Sequence, residues 1–179
     1  ISIHRSDAAI SQTLLKVILV RPEMALVLRQ LLAMVPEPQR LVNRSSIYDW
    51  TPLHLLANGG ANAQARAGMI SQLCQAKADV EARKRNGTTP LMVAAATSQF
   101  AQAEALMENG ADPNNCDENG ATCLDLAWNS KKMQKLLVDT AADLGEGASG
   151  AGRQRAYTRI HTDACGDRKS TRLNSSHTV

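Results

Sequence analysis

Asn86-Gly87-Thr88-Thr89-Pro90-Leu91-Met92-Val93-Ala94-Ala95 is the stretch from which the rest of this chain can be read. Asn-Gly marks a tight turn, because both residues accept positive φ. Thr89 then offers a side-chain oxygen to the free amides of a helix start, and Pro90 fits the first helical position, where its missing N–H costs nothing. An apolar run from Leu91 to Ala96 follows at once. The stretch therefore spells turn, cap and helix. Asp49-Trp50-Thr51-Pro52-Leu53-His54-Leu55-Leu56-Ala57 repeats the order upstream, and Asn119-Gly120-Ala121-Thr122-Cys123-Leu124-Asp125-Leu126-Ala127 repeats it downstream.

Thr89 and Thr122 are 33 residues apart, and Thr51 and Thr89 are 38 apart. A second marker tests the register: Asn43, Glu81 and Asn114 each precede the threonine of their copy by eight residues. Leu41-Val42, Lys77-Ala78-Asp79-Val80 and Gly110-Ala111-Asp112-Pro113 lead into them. A period near 33 carrying Thr-Pro-Leu-His and Gly-Ala-Asp-x-Asn resembles the ankyrin repeat family. The resemblance covers residues 41–144 in about three repeats. It implies an all-α solenoid of stacked helix-turn-helix units, joined by β-hairpin-like fingers. As structural residues of the motif it marks Thr51, Pro52, His54, Gly87, Thr89, Pro90, Gly110, Asn114, Gly120 and Thr122.

The copies are not identical. The first carries about five extra residues, and the small polar segment Gly59-Gly60-Ala61-Asn62-Ala63-Gln64-Ala65 is expected to hold them as a lengthened loop. Surface loops take such insertions at little entropic cost. Asp49 occupies the turn position held by Gly87 and Gly120, and aspartate tolerates a left-handed backbone better than most residues. Cys123 stands for the proline, and Met92 and Asp125 for the histidine. The third repeat reads as a terminal one, since end repeats are usually atypical.

Helices are expected over Pro52–Asn58, Ala67–Gln75, Pro90–Ser98, Phe100–Asn109, Cys123–Asn129 and Lys131–Asp139. Leu73, Leu106, Met107, Leu136 and Leu137 are expected to face neighbouring repeats. Ahead of the repeats, residues 1–42 read as a degenerate first repeat or a cap, with helices over Ser11–Val20 and Glu23–Val35. Met24, Leu28, Leu31, Leu32 and Val35 give the second of these an apolar face, and Pro36-Glu37-Pro38 ends it. A chain beginning at Ile1 is expected to be a fragment or a processed product. Leu14–Val20 is a short apolar run ended by Arg21-Pro22 with no small-residue cleavage site after it, so no signal peptide is expected, and no run of eighteen apolar residues suggests a membrane span. Residues 145–179 read as a Gly-rich flexible linker and a disordered tail. The end of that tail, from Asp167, resembles translated adaptor sequence. Residues 1–144 hold 14 basic and 14 acidic side chains, so the net charge of +3 sits in the tail.

Little in the sequence carries chemistry. The four cysteines form no Cys-x-x-Cys pair and lie at no metal-ligand spacing from a histidine, so they read as small buried or loop thiols of a reducing compartment. No cofactor, metal or catalytic residue is expected. His54 could act as a base near Asp49, yet no nucleophile or second carboxylate accompanies it. The family resemblance implies instead that Thr51 and His54 fix the turn by hydrogen bonds. Gly59-Gly60 is no phosphate loop, because no Gly-Lys-Ser/Thr follows. The one charge cluster inside the repeats is Arg83-Lys84-Arg85, placed by register at a finger tip. Such runs are usually solvated loop tips, and the alternative is a contact with an acidic patch on a partner protein. Nucleic acid is disfavoured, since the repeats are neutral overall and poor in aromatic residues. The expected function is a protein–protein interaction scaffold of an intracellular, cytoplasmic protein. The alternative is a targeting or regulatory domain of a larger enzyme, such as a kinase or ubiquitin ligase.

Overall fold

A computed structural model describes residues 21, 25–45, 49–60 and 62–143. The expected helix at Ser11–Val20 and the linker and tail beyond Leu144 lie outside the described residues. Eight helices occur among those described: α1 Ala25–Met34, α2 Pro38–Val42, α3 Pro52–Ala57, α4 Ala63–Gln75, α5 Pro90–Ala96, α6 Phe100–Glu108, α7 Cys123–Leu126 and α8 Lys131–Asp143. The helix expected from Glu23 to Val35 is α1. The proline pair does end it, and Pro38 then opens the single turn of α2.

From α3 onward the helices alternate between two layers. Short α3, α5 and α7 stack on one another, and longer α4, α6 and α8 stack behind them, with α1 packed against α4. Each short helix begins at the threonine of its copy. Thr51, Thr89 and Thr122 all hold extended backbone, and Thr89 Oγ1 accepts from the Met92 amide at 3.4 Å. The core is aliphatic and thin. Leu53, Leu56, Met69, Ile70, Leu73, Leu91, Met92, Leu106, Met133 and Leu137 are buried, with Ala57, Ala94, Ala95 and Ala103 between them. Small residues let helices of one or two turns approach closely. Leu136, on the next position of α8, is only partly buried.

One expectation is corrected. Ala63-Gln64-Ala65 is the first turn of α4 rather than loop, and Asn62 caps it by accepting from the Ala65 amide at 3.2 Å. Alanine and glutamine are good helix formers, so the inserted residues extend a helix that neighbours already support. The first repeat's outer helix has 13 residues, against 9 in α6. Its helix-to-helix loop grows too, to Asn58–Asn62.

Between the layers, fingers project at residues 76–89 and 109–122. Each ends in a left-handed glycine, Gly87 at φ 76° and Gly120 at φ 77°, and Asp49 takes the same conformation at φ 58°. In the last finger Cys116 and Thr122 form an antiparallel bridge. No helix among the described residues is long and apolar enough to cross a membrane.

Candidate functional site: the finger tips and the ties between repeats

The polar residues of the motif mostly work between repeats rather than within one. His54 is fully buried, and its Nδ1 lies 2.8 Å from Thr51 Oγ1 and 3.3 Å from the Thr51 amide. That amide can only donate, so Nδ1 is the acceptor and Nε2 carries the proton. Nε2 then donates to the Thr88 carbonyl, 3.0 Å away and 34 residues on. One imidazole thereby fixes its own helix start and binds the next finger. Trp50 covers it, with ring centroids 6.0 Å apart. Burial, with the Lys84 ammonium adding to it, pushes the imidazole down to about 4, so the ring is neutral at ordinary pH. A neutral ring with both nitrogens engaged is a structural tie. Met92, the counterpart of His54, is a buried apolar residue. Asp125, the third counterpart, accepts from both the amide and the hydroxyl of Thr122 at 2.9 Å.

The marker eight residues before each threonine is a second tie. Asn43 donates to the Lys77 carbonyl at 2.9 Å and accepts from the Asp79 amide at 2.6 Å. Glu81 accepts from the Asp112 amide at 2.7 Å and from the Asn115 side chain. Burial raises the Glu81 carboxyl above the usual range. Asn114, third in this register, turns inward on its own loop, donating to Asp112 Oδ1 at 2.9 Å.

Arg83, Lys84 and Arg85 divide their roles. Arg83 reaches into the next finger, donating to the Cys116 carbonyl at 2.8 Å and to Asn115 Oδ1 at 2.7 Å. Lys84 lies over the Trp50 ring of the preceding repeat, 4.5 Å from its centroid. Burial holds its ammonium below the lysine range. Arg85 projects, its side chain 76 % exposed, with a loose ion pair to Asp49 at 3.8 Å. Arg83 and Lys84 are therefore engaged with neighbouring repeats rather than being the solvated loop tip that a charge run usually is. The missed signal is the repeat period itself. Hydrogen-bond partners of Asn43, His54, Glu81 and Arg83 all lie 31 to 36 residues further on.

Among the remaining motif residues, Pro52 and Pro90 are the buried first residues of α3 and α5. Gly110 is left-handed at φ 93° and turns the chain out of α6. Gly87 is the most constrained: a Cβ there would stand 2.9 Å from the Glu118 amide nitrogen of the next finger.

The thiols behave differently from one another. Cys74 and Cys123 are free, and burial raises Cys74 to about 11 and Cys123 further still, which leaves both inert. Cys116 is disulfide-bonded, which corrects its reading as a free thiol. Among the described residues no cluster of histidine, cysteine, aspartate and glutamate could hold a metal.

Comparison with known proteins agrees with this geometry. The family described as ankyrin repeats (3 copies) matches residues 18–117 and 61–147. A curated mouse protein, NF-kappa-B inhibitor delta, is 37% identical over 90 residues, which cover 50% of this chain and 27% of that protein. The chain thus spans about a quarter of the length of the curated relative. With the two-layer stack, the paired fingers and this match across most of its length, the chain belongs to the ankyrin repeat family.

Proposed function

We propose that this chain is a protein–protein interaction module that holds a partner segment along its finger tips and its short inner helices α3, α5 and α7. The observation that carries the reading is the division of labour in the basic triad. His54, Asn43, Glu81 and Arg83 use their polar atoms to tie repeats together, and Lys84 rests on Trp50. Arg85 is left extended at the tip in an ion pair with a half-exposed carboxylate. Exposed pairs of that kind contribute little to folding, about 0–1 kcal/mol. An acidic side chain on a partner can replace Asp49 at small cost. Similarity to a protein named as an inhibitor of NF-kappa-B supports the class of act, binding to another protein, and nothing narrower.

The test is capture from lysate with the parent chain and with Arg85→Glu, at low and at high salt. The proposal expects an unchanged melting midpoint in the variant, reduced recovery of the parent's partner, and recovery by the parent that falls as salt screens the contact. Equal recovery by both proteins at both salt concentrations would remove Arg85 from the interface. A triple charge reversal would be uninformative, because losing Arg83 and Lys84 loosens the stack itself.

A further inference from the structure

The described residues contain four Asn-Gly steps, at Asn58-Gly59, Asn86-Gly87, Asn109-Gly110 and Asn119-Gly120. Each can in principle cyclise: the glycine nitrogen attacks Asn Cγ, the Cγ–Nδ2 bond breaks and ammonia leaves. Water then opens the succinimide to aspartate or isoaspartate. No oxidant or cofactor takes part. The reaction needs a carboxamide free to rotate and a glycine amide free to lose its proton to solvent. By sequence the four steps are alike, and the fold makes them unequal.

Asn86 has its Oδ1 held by the Thr88 hydroxyl at 2.8 Å and its carbonyl bound by the Glu118 amide at 3.1 Å. The Gly87 amide donates to the Lys84 carbonyl at 2.8 Å. At Asn109 the carboxamide donates to the Ala105 carbonyl at 2.7 Å, and the Gly110 amide donates to Met107. Asn119 has no side-chain partner among the described residues, since Ala121 offers no hydroxyl where Thr88 has one. Its Gly120 amide, however, donates to the Asp117 carbonyl at 3.0 Å. At Asn58-Gly59 neither reacting group has a hydrogen-bond partner among the described residues, and Asn58 is exposed. Gly59 is left-handed at φ 89° and opens the loop that the first repeat's insertion lengthens.

The structure assigns Asn58 as a self-modification site of the folded protein, where succinimide formation converts asparagine to aspartate and isoaspartate. Asn119 follows it, and Asn86 and Asn109 are protected. The product places a new negative charge at the C-terminal end of α3, the unfavourable end of that helix. It also lies in the loop against which Arg66 packs. Arg66 is 7% exposed as a residue, and its guanidinium donates to the Leu55 carbonyl at 3.3 Å and has no acidic partner among the described residues. Conversion therefore changes the charge around a buried cation at the joint between α3 and α4.

The experiment is peptide mapping by mass spectrometry of the full chain aged in mildly alkaline buffer, folded and in urea, with electron-based fragmentation to tell isoaspartate from aspartate. Folded protein should convert Asn58 severalfold faster than Asn119, and Asn119 faster than Asn86 and Asn109. In urea the four rates should converge. A Thr88→Val variant should speed Asn86 without altering Asn58. Equal rates at all four steps in folded protein, or Asn86 or Asn109 leading, would overturn the assignment.

Discussion

Acidification should loosen this protein through one residue. His54 is held at about 4 in the folded chain by burial, while a histidine in an unfolded chain titrates near 6.5. A depressed folded value means that the unfolded chain takes up the proton first. The neutral ring's contribution is therefore complete above about pH 6.5 and is lost as pH falls toward 4. From the two values the loss is about 2 kcal/mol near pH 5 and about 3 kcal/mol near pH 4. For a unit of this size that lowers the melting midpoint by roughly 5–10 °C at the milder pH. Side-chain carboxylates in general also take up protons in acid, so the measurement is a difference. Urea melts of the parent and of His54→Met, each at neutral and mildly acid pH, isolate the ring. Methionine is what the second repeat carries at this position. The variant should be less stable at neutral pH, because the Thr51 amide and the Thr88 carbonyl lose their partner, and it should lose less on acidification. A parent and variant with the same pH slope would refute the buried, neutral tie.

Two further outcomes follow from the finger contacts. Gly87→Val should cost about 1–3 kcal/mol, because a β-branched residue is strained at positive φ and its Cβ would press on the Glu118 amide; urea denaturation checks it, and a variant as stable as the parent would mean a different turn. Arg83→Ala should cost about 1 kcal/mol, the value of charge-assisted bonds in an exposed setting. Hydrogen exchange should rise at residues 115–121 while the outer helices stay protected.

Much of the fold was legible because its signals are local. Thr-Pro at residues 51–52 and 89–90 and the turn glycines each specify a short piece of backbone, and copies in register specify the stack. Even Asp49, which breaks the glycine pattern, adopts the left-handed turn expected of it. What stayed hidden is carried by partners one repeat away. Arg83 looks like part of a solvated charge run until Asn115 and the Cys116 carbonyl stand beside it. Lys84 looks free until the Trp50 ring of the previous repeat lies under it. The extra turn of α4 was missed for another reason. Ala63-Gln64-Ala65 is ambiguous by itself, and the Asn62 cap together with packing on neighbouring helices decides it.

In the proposed function a partner segment lies along one edge of the stack, on the finger tips and inner helices. Hydrogen–deuterium exchange on the chain alone and with its captured partner tests that edge directly. Binding there should add protection at residues 84–88 and 117–121 and along α3 and α5, with α4 and α6 unchanged. Protection confined to α4 and α6, on the opposite layer, would contradict it.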